Sequence, residues 1–176
     1  DVRGPARAQA PWFGRAGEKG RASPALPWTH PTERIPMYGL KTEASFDSAH
    51  FLADYRGKCE NLHGHRWRVV CYLRSGELGE AGTERDMVCD FGAFKREVRS
   101  LVAEFDHMFL VEEGTLRPAT IEALEGEGFT LKVLPFRTTA ENLARHFCER
   151  LRERGLPCSQ VDVYETPLNC ATYLAD

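Results

Sequence analysis

Three histidines and one cysteine carry the most readable chemistry in this chain. The stretch CENLHGHRW, residues 59–67, sets three residues between Cys59 and His63 and one between His63 and His65. In a strand, residues i and i+2 point the same way. A strand from His63 onward therefore lines up His63, His65, Trp67, Val69, Cys71 and Leu73 on one face. Upstream, Tyr38, Leu40, Thr42, Ala44 and Phe46 alternate with Lys41, Glu43, Ser45 and Asp47, the mark of a half-buried strand. The same phase passes Ser48 and reaches His50. Two strands thus bring imidazoles to the rim of one apolar face. Three imidazoles suit Zn²⁺, and three protein ligands leave a fourth position open, as in catalytic zinc sites. Cys59 poses an alternative: as a fourth ligand it would close the site and make it structural.

Other residues offer acid–base or binding chemistry. Asp106 precedes His107 just past a helical segment, where a carboxylate can orient an imidazole for proton transfer. Taken alone, the pair reads first as a surface contact at a helix end. Glu165 shares a strand face with Val161 and Val163. A carboxylate there is costly unless paired, and it could grip a ligand edge with adjacent N–H donors, or reach water where the strand ends. Thr138 and Thr139 open a helix and serve as caps, with Glu141 completing a capping box. Lys58, Arg66, Arg68 and Arg137 are candidate contacts for an anionic group but read first as solvated charges. His146 and His30 receive no function.

These side chains need a scaffold of both element types. Strands are expected over 38–50, from His63 to Arg74, over 129–136, at 161–165 and at 171–174. Ser75–Asp86 reads as a hairpin loop, with Met87–Cys89 as the end of a returning strand. Asp90 caps a helix whose Phe91, Phe94, Val98, Leu101, Val102 and Phe105 recur at helical spacing. A short helix is expected within 115–126, with Pro118 in its first turn. Another follows Thr139, with Leu143, Ala144, Phe147, Cys148 and Leu151 on one side. Strands and helices in runs imply an α+β fold with an antiparallel sheet.

At 176 residues the chain suits one main domain. Residues 1–36 are rich in Gly, Pro, Ala and Arg without periodicity and are expected to be a disordered extension; residues 37–176 form the folded domain. The extension carries six basic and three acidic side chains, so the rest of the chain holds −6 of the net −3. An acidic domain argues against nucleic acid as a partner. No apolar run is long enough for a membrane span. The six cysteines contain no CxxC pair. With no secretory signal, this suggests free thiols and a cytoplasmic location.

The ordered motifs SFDSAHFL, CENLHGHRW, MVCDFGAFK, EFDHMFL, RTTAENLA and VYETPLNCATY resemble the 6-pyruvoyl-tetrahydropterin synthase / 6-carboxytetrahydropterin synthase family across residues 38–174. The resemblance implies the tunnelling fold (T-fold), with an antiparallel four-stranded sheet and two helices on one side. It also implies trimers stacked into a homohexamer. By the same resemblance His50, His63 and His65 hold Zn²⁺, while Cys59, Asp106 and His107 are catalytic and transfer protons. Glu165 anchors the pterin, with Thr138 and Thr139 nearby. The implied substrate is 7,8-dihydroneopterin triphosphate. The spacing of Cys59 and His63 is similar to the carboxytetrahydropterin branch of queuosine biosynthesis. Glu60, next to Cys59, keeps a folate-branch side-chain cleavage open. The segment from Glu112 to Arg137 is longer than in compact members and adds a helix and a strand.

Overall fold

The computed structural model describes residues 36–175. The expectation for the extension, His30 included, otherwise falls outside the described residues. Two long strands, β1 (Tyr38–His50) and β2 (His63–Ser75), form an antiparallel pair in which Tyr38 faces Ser75 and His50 faces His63. Strand β5 (Cys158–Thr166) adds to the other edge of β2, and β6 (Asn169–Leu174) pairs with β5, both antiparallel. These four strands are the antiparallel sheet that the sequence implied.

The sheet is larger than expected. Two short strands, β3 (Phe109–Glu112) and β4 (Leu131–Leu134), extend it to six in the order β4-β3-β1-β2-β5-β6. Both join in parallel, β3 meeting β1 only at Ala49 and His50. Strand β3 has four residues, too few for alternation to reveal. The α+β class holds, with a mixed rather than purely antiparallel sheet. No strand returns at Met87–Cys89. Both edges of β2 are already taken by β1 and β5, so the segment cannot return alongside β2. It is irregular, and Gly79 and Arg85 form an isolated bridge within the loop before it.

Among the described residues three α-helices accompany the sheet: α1 (Phe91–Ala103), α2 (Pro118–Gly126) and α3 (Ala140–Glu153). Asp90 caps α1 as expected, its carboxylate accepting from the Ala93 N–H at 2.8 Å. Helix α1 buries Phe94, Val98, Leu101 and Val102, whereas Phe91, counted in the stripe, is exposed. Helix α3 buries Leu143, Ala144, Phe147, Cys148 and Leu151. These residues join Phe46, Trp67, Val69, Cys71, Val161 and Val163 in one core. The face that ends in His63 and His65 is therefore the face covered by α1 and α3. Pro118 opens α2 at its first position, and α2 buries no residue. All six cysteines are free. Among the described residues no helix is long and apolar enough to cross a membrane.

His146 on α3 lies among Phe136, Phe105 and Phe147, with ring centroids 5.3, 5.6 and 6.0 Å away. Burial, then Arg150 and Lys132, hold its pKa below the ordinary 6.5, against Glu104 and Glu149. As pH falls through about 6.5, the unfolded chain binds a proton that the folded one resists. The stability tied to neutral His146 is thus present above that pH and drains away below it. His146→Leu is expected to flatten the acid side of a plot of Tm against pH. An unchanged slope would assign the loss to other groups.

Candidate active site

The antiparallel register does the assembling. His50 ends β1 opposite His63, which begins β2, and Ser48 faces His65. Because side chains alternate, His50, His63 and His65 emerge on the same side, above Trp67. Their ring centroids lie 4.5, 5.2 and 4.9 Å apart, taken as His50–His63, His50–His65 and His63–His65. The Trp67 ring, wholly buried, packs edge-on at 5.0 Å from His50 and 5.1 Å from His65. Gly64 between the two histidines keeps β1 close: a Cβ there would meet the Ser48 carbonyl oxygen at 3.4 Å.

The outer nitrogens are committed. His50 Nδ1 lies 2.9 Å from the Thr138 carbonyl oxygen, and His63 Nδ1 lies 2.7 Å from that of Asn61. A carbonyl can only accept, so each Nδ1 carries the hydrogen and each Nε2 presents a lone pair. The three Nε2 atoms are buried without a hydrogen-bond partner. One ligand atom from each histidine lies within 4.8 Å of the others. Orphaned buried nitrogens are costly, and a divalent metal of the kind that prefers imidazole would satisfy all three. Burial, ahead of the neighbouring imidazoles, lowers the His50 pKa to about 4, so it stays neutral as a metal ligand must. Burial lowers that of His65 as well.

Cys59 sits on a short 3-10 turn, Lys58–Glu60, held by the Leu52 N–H donating to its carbonyl at 2.8 Å. Its thiol is half-buried and is not part of the histidine group. The group that could hold a metal ion is therefore the three histidines, with Cys59 outside it.

Asp106 and His107 follow α1. His107 takes a left-handed backbone, φ 57°, with its N–H bonded to the Asp47 carbonyl at 2.7 Å. Its Nδ1 lies 3.0 Å from Asp106 Oδ2, and the other carboxylate oxygen accepts from the Asp47 N–H at 2.9 Å. Those contacts, the Asp47 N–H first, hold the Asp106 carboxyl below the usual range. The exposed His107 ring and His65 line one cavity of about 490 Å³. His65 also lines a second cavity, about 610 Å³, with Arg66, Arg68 and Glu165. Gly64 and His65 thus line both, and Cys59 lines neither. Glu165 is half-buried, and burial followed by Glu141 raises its pKa, partly offset by His63. Among the described residues it has no salt-bridge partner.

The threonines divide. The N-cap of α3 is Thr139, whose hydroxyl accepts from the Asn142 N–H at 3.3 Å; the helix starts one residue later than expected, so the capping box from Thr138 to Glu141 is not formed. Thr138 is wholly buried, its hydroxyl donating to the Phe51 carbonyl rather than opening to a cavity. Arg137 donates to the Ala53 carbonyl. Arg66 pairs with Asp47 at 3.6 Å; Arg68 pairs with Glu43 at 3.6 Å and covers the Tyr164 ring at 3.9 Å. Sequence reasoning missed the backbone carbonyls of Thr138 and Asn61, because a carbonyl carries no residue-type signal.

A model of the 6-pyruvoyl tetrahydropterin synthase family matches residues 39–176. A Haemophilus influenzae protein named 6-carboxy-5,6,7,8-tetrahydropterin synthase is 35% identical over 143 residues, covering 78% of this chain and 99% of its own. A Synechocystis protein of the same name is 32% identical over 141 residues, covering 79% and 95%. The crystal structure of an uncharacterised Wolinella succinogenes protein superposes with a TM-score of 0.67 at 22% identity, covering 80% of this chain and 99% of that one, a likeness of fold.

Proposed function

Because the chain belongs to the 6-pyruvoyl tetrahydropterin synthase family, we propose that it is a zinc-dependent 6-carboxy-5,6,7,8-tetrahydropterin synthase. Its substrate in this reading is 7,8-dihydroneopterin triphosphate, and its products are carboxytetrahydropterin, acetaldehyde and triphosphate. The reaction is that of a lyase and would supply 7-deazapurine (queuosine) synthesis. The observation that carries the reading is a group of three histidines whose ligand atoms lie within 4.8 Å of one another and whose Nε2 atoms are buried without a hydrogen-bond partner among the described residues. The names of the Haemophilus and Synechocystis relatives support the carboxy branch.

His50, His63 and His65 would hold the metal. When bound, Zn²⁺ supplies Lewis acidity toward the hydroxyls of the substrate side chain. Glu165 accepts the paired N–H groups of the 2-amino-4-oxo pterin edge, a partner that relieves its desolvation. Thr139 flanks that edge from the start of α3. Cys59, as thiolate, removes a side-chain proton. His107, held by the Asp106 carboxylate through Nδ1, exchanges a proton at Nε2 on the other side. The same reading includes the hexamer of two stacked trimers. Backbone on β6, and on β1 ahead of Ala49, that is unpaired among the described residues supports such association.

The test is anaerobic incubation of zinc-loaded protein with 7,8-dihydroneopterin triphosphate, followed by mass spectrometry. Carboxytetrahydropterin with acetaldehyde is the expected result. Pyruvoyl-tetrahydropterin, or a hydroxymethyl pterin from side-chain cleavage, would move the chain to a sister branch. No product from folded, metal-loaded protein would favour a non-catalytic pterin-binding role.

A further inference from the structure

Thr138 stands one residue ahead of the α3 cap, and that place frees its carbonyl. The helix's own hydrogen bonding begins at Thr139, whose carbonyl accepts from the Leu143 N–H at 3.0 Å. The Thr138 carbonyl is therefore available to His50 Nδ1 at 2.9 Å. The Thr138 hydroxyl lies 3.3 Å from the same nitrogen and donates at 3.2 Å to the carbonyl of Phe51, the residue after His50. One side chain thus ties the turn before α3 to the chain leaving β1. Neighbouring bonds brace that turn: the Thr139 N–H and the Asn142 side-chain amide both donate to the Arg137 carbonyl, at 2.8 and 3.0 Å.

We infer that Thr138 is a positioning residue for the metal site: its hydroxyl clamps its own carbonyl onto His50 Nδ1 and so holds the Nδ1–H tautomer that turns Nε2 toward the metal. The inference rests on the metal-site reading above. It gives Thr138 a role distinct from pterin contact, which its complete burial disfavours. Groups that orient a metal-bound imidazole typically change metal affinity by about 10–100-fold when removed. Thr138→Val keeps the shape and the carbonyl but loses the clamp; Thr138→Ser keeps the hydroxyl.

Zn²⁺ affinity by competition with a chromophoric chelator is expected to weaken by about tenfold or more in Thr138→Val and to stay near wild type in Thr138→Ser. Long-range ¹H–¹⁵N spectra of the metal-free wild type should show His50 with a protonated Nδ1 and a bare Nε2. Thr138→Val should show a mixture of tautomers. Binding of a simple pterin to metal-free protein, read by its fluorescence, should not change. Wild-type Zn²⁺ affinity in Thr138→Val would overturn the role, as would an Nε2–H tautomer in the wild type, a readout that needs no variant. Weakened pterin binding with intact Zn²⁺ affinity would return Thr138 to the substrate. If the wild type and a His63→Ala variant bind Zn²⁺ equally, the metal-site reading itself fails, a result separate from the others.

Discussion

Replacing Cys59 with alanine is expected to lower kcat by roughly 10²–10⁴-fold, the usual contribution of one positioned proton-transfer group, and to leave bound metal unchanged. The second half follows from geometry. The group that could hold a metal ion is three histidines, and the Cys59 thiol is outside it. Its turn is anchored through backbone to Leu52, so a smaller side chain leaves the local fold in place. Metal content and X-ray absorption read the two halves independently. Wild type and variant should show the same shell of nitrogens with a light fourth atom. A sulfur scatterer in the wild type that vanishes in Cys59→Ala would make the cysteine a ligand and the site structural. Full turnover in the variant would remove it from the mechanism.

His63→Ala is expected to abolish turnover by a different route, through loss of the metal. Two remaining imidazoles cannot complete a three-nitrogen set. The variant also removes the ring that closes against both His50 and His65. Binding to the folded state alone stabilises it, by about 4 kcal/mol at a thousandfold excess of ligand over Kd. Added Zn²⁺ should therefore raise the wild-type Tm, while His63→Ala should show no such shift. An equal rise in both proteins would place the ion elsewhere. The contrast with Cys59→Ala is the diagnostic: one variant loses chemistry and keeps metal, the other loses both.

Much of the site was legible because strands obey a period of two. Phase alone carried His50 onto the face of Phe46 and Ser48, and the same rule put His63 and His65 above Trp67. Asp90 and Pro118 marked helix starts through local chemistry that needs no distant partner. Less was legible where the deciding partner is far along the chain. The β3 and β4 pairing is parallel and short, so no alternation announces it. Met87–Cys89 had strand-like residues, but both edges of β2, its expected hairpin partner, are taken by β1 and β5. Thr138 and Thr139 are the same residue type side by side, and either could cap a helix. His50, 88 residues away in sequence, engages the first of them, while α3 takes the second.

The sequence by itself determined the alternating faces, the helix caps and the histidine pair in phase with a third, since these are set by neighbours within a few residues. Tertiary structure alone decided which nitrogen is free in His50 and in His63. That depends on carbonyls of Thr138 and Asn61, groups every residue possesses, and only the folded backbone places them. It also decided that His65 is shared by the cavities leading to His107 and Glu165, because β2 is the one strand flanked by both β1 and β5.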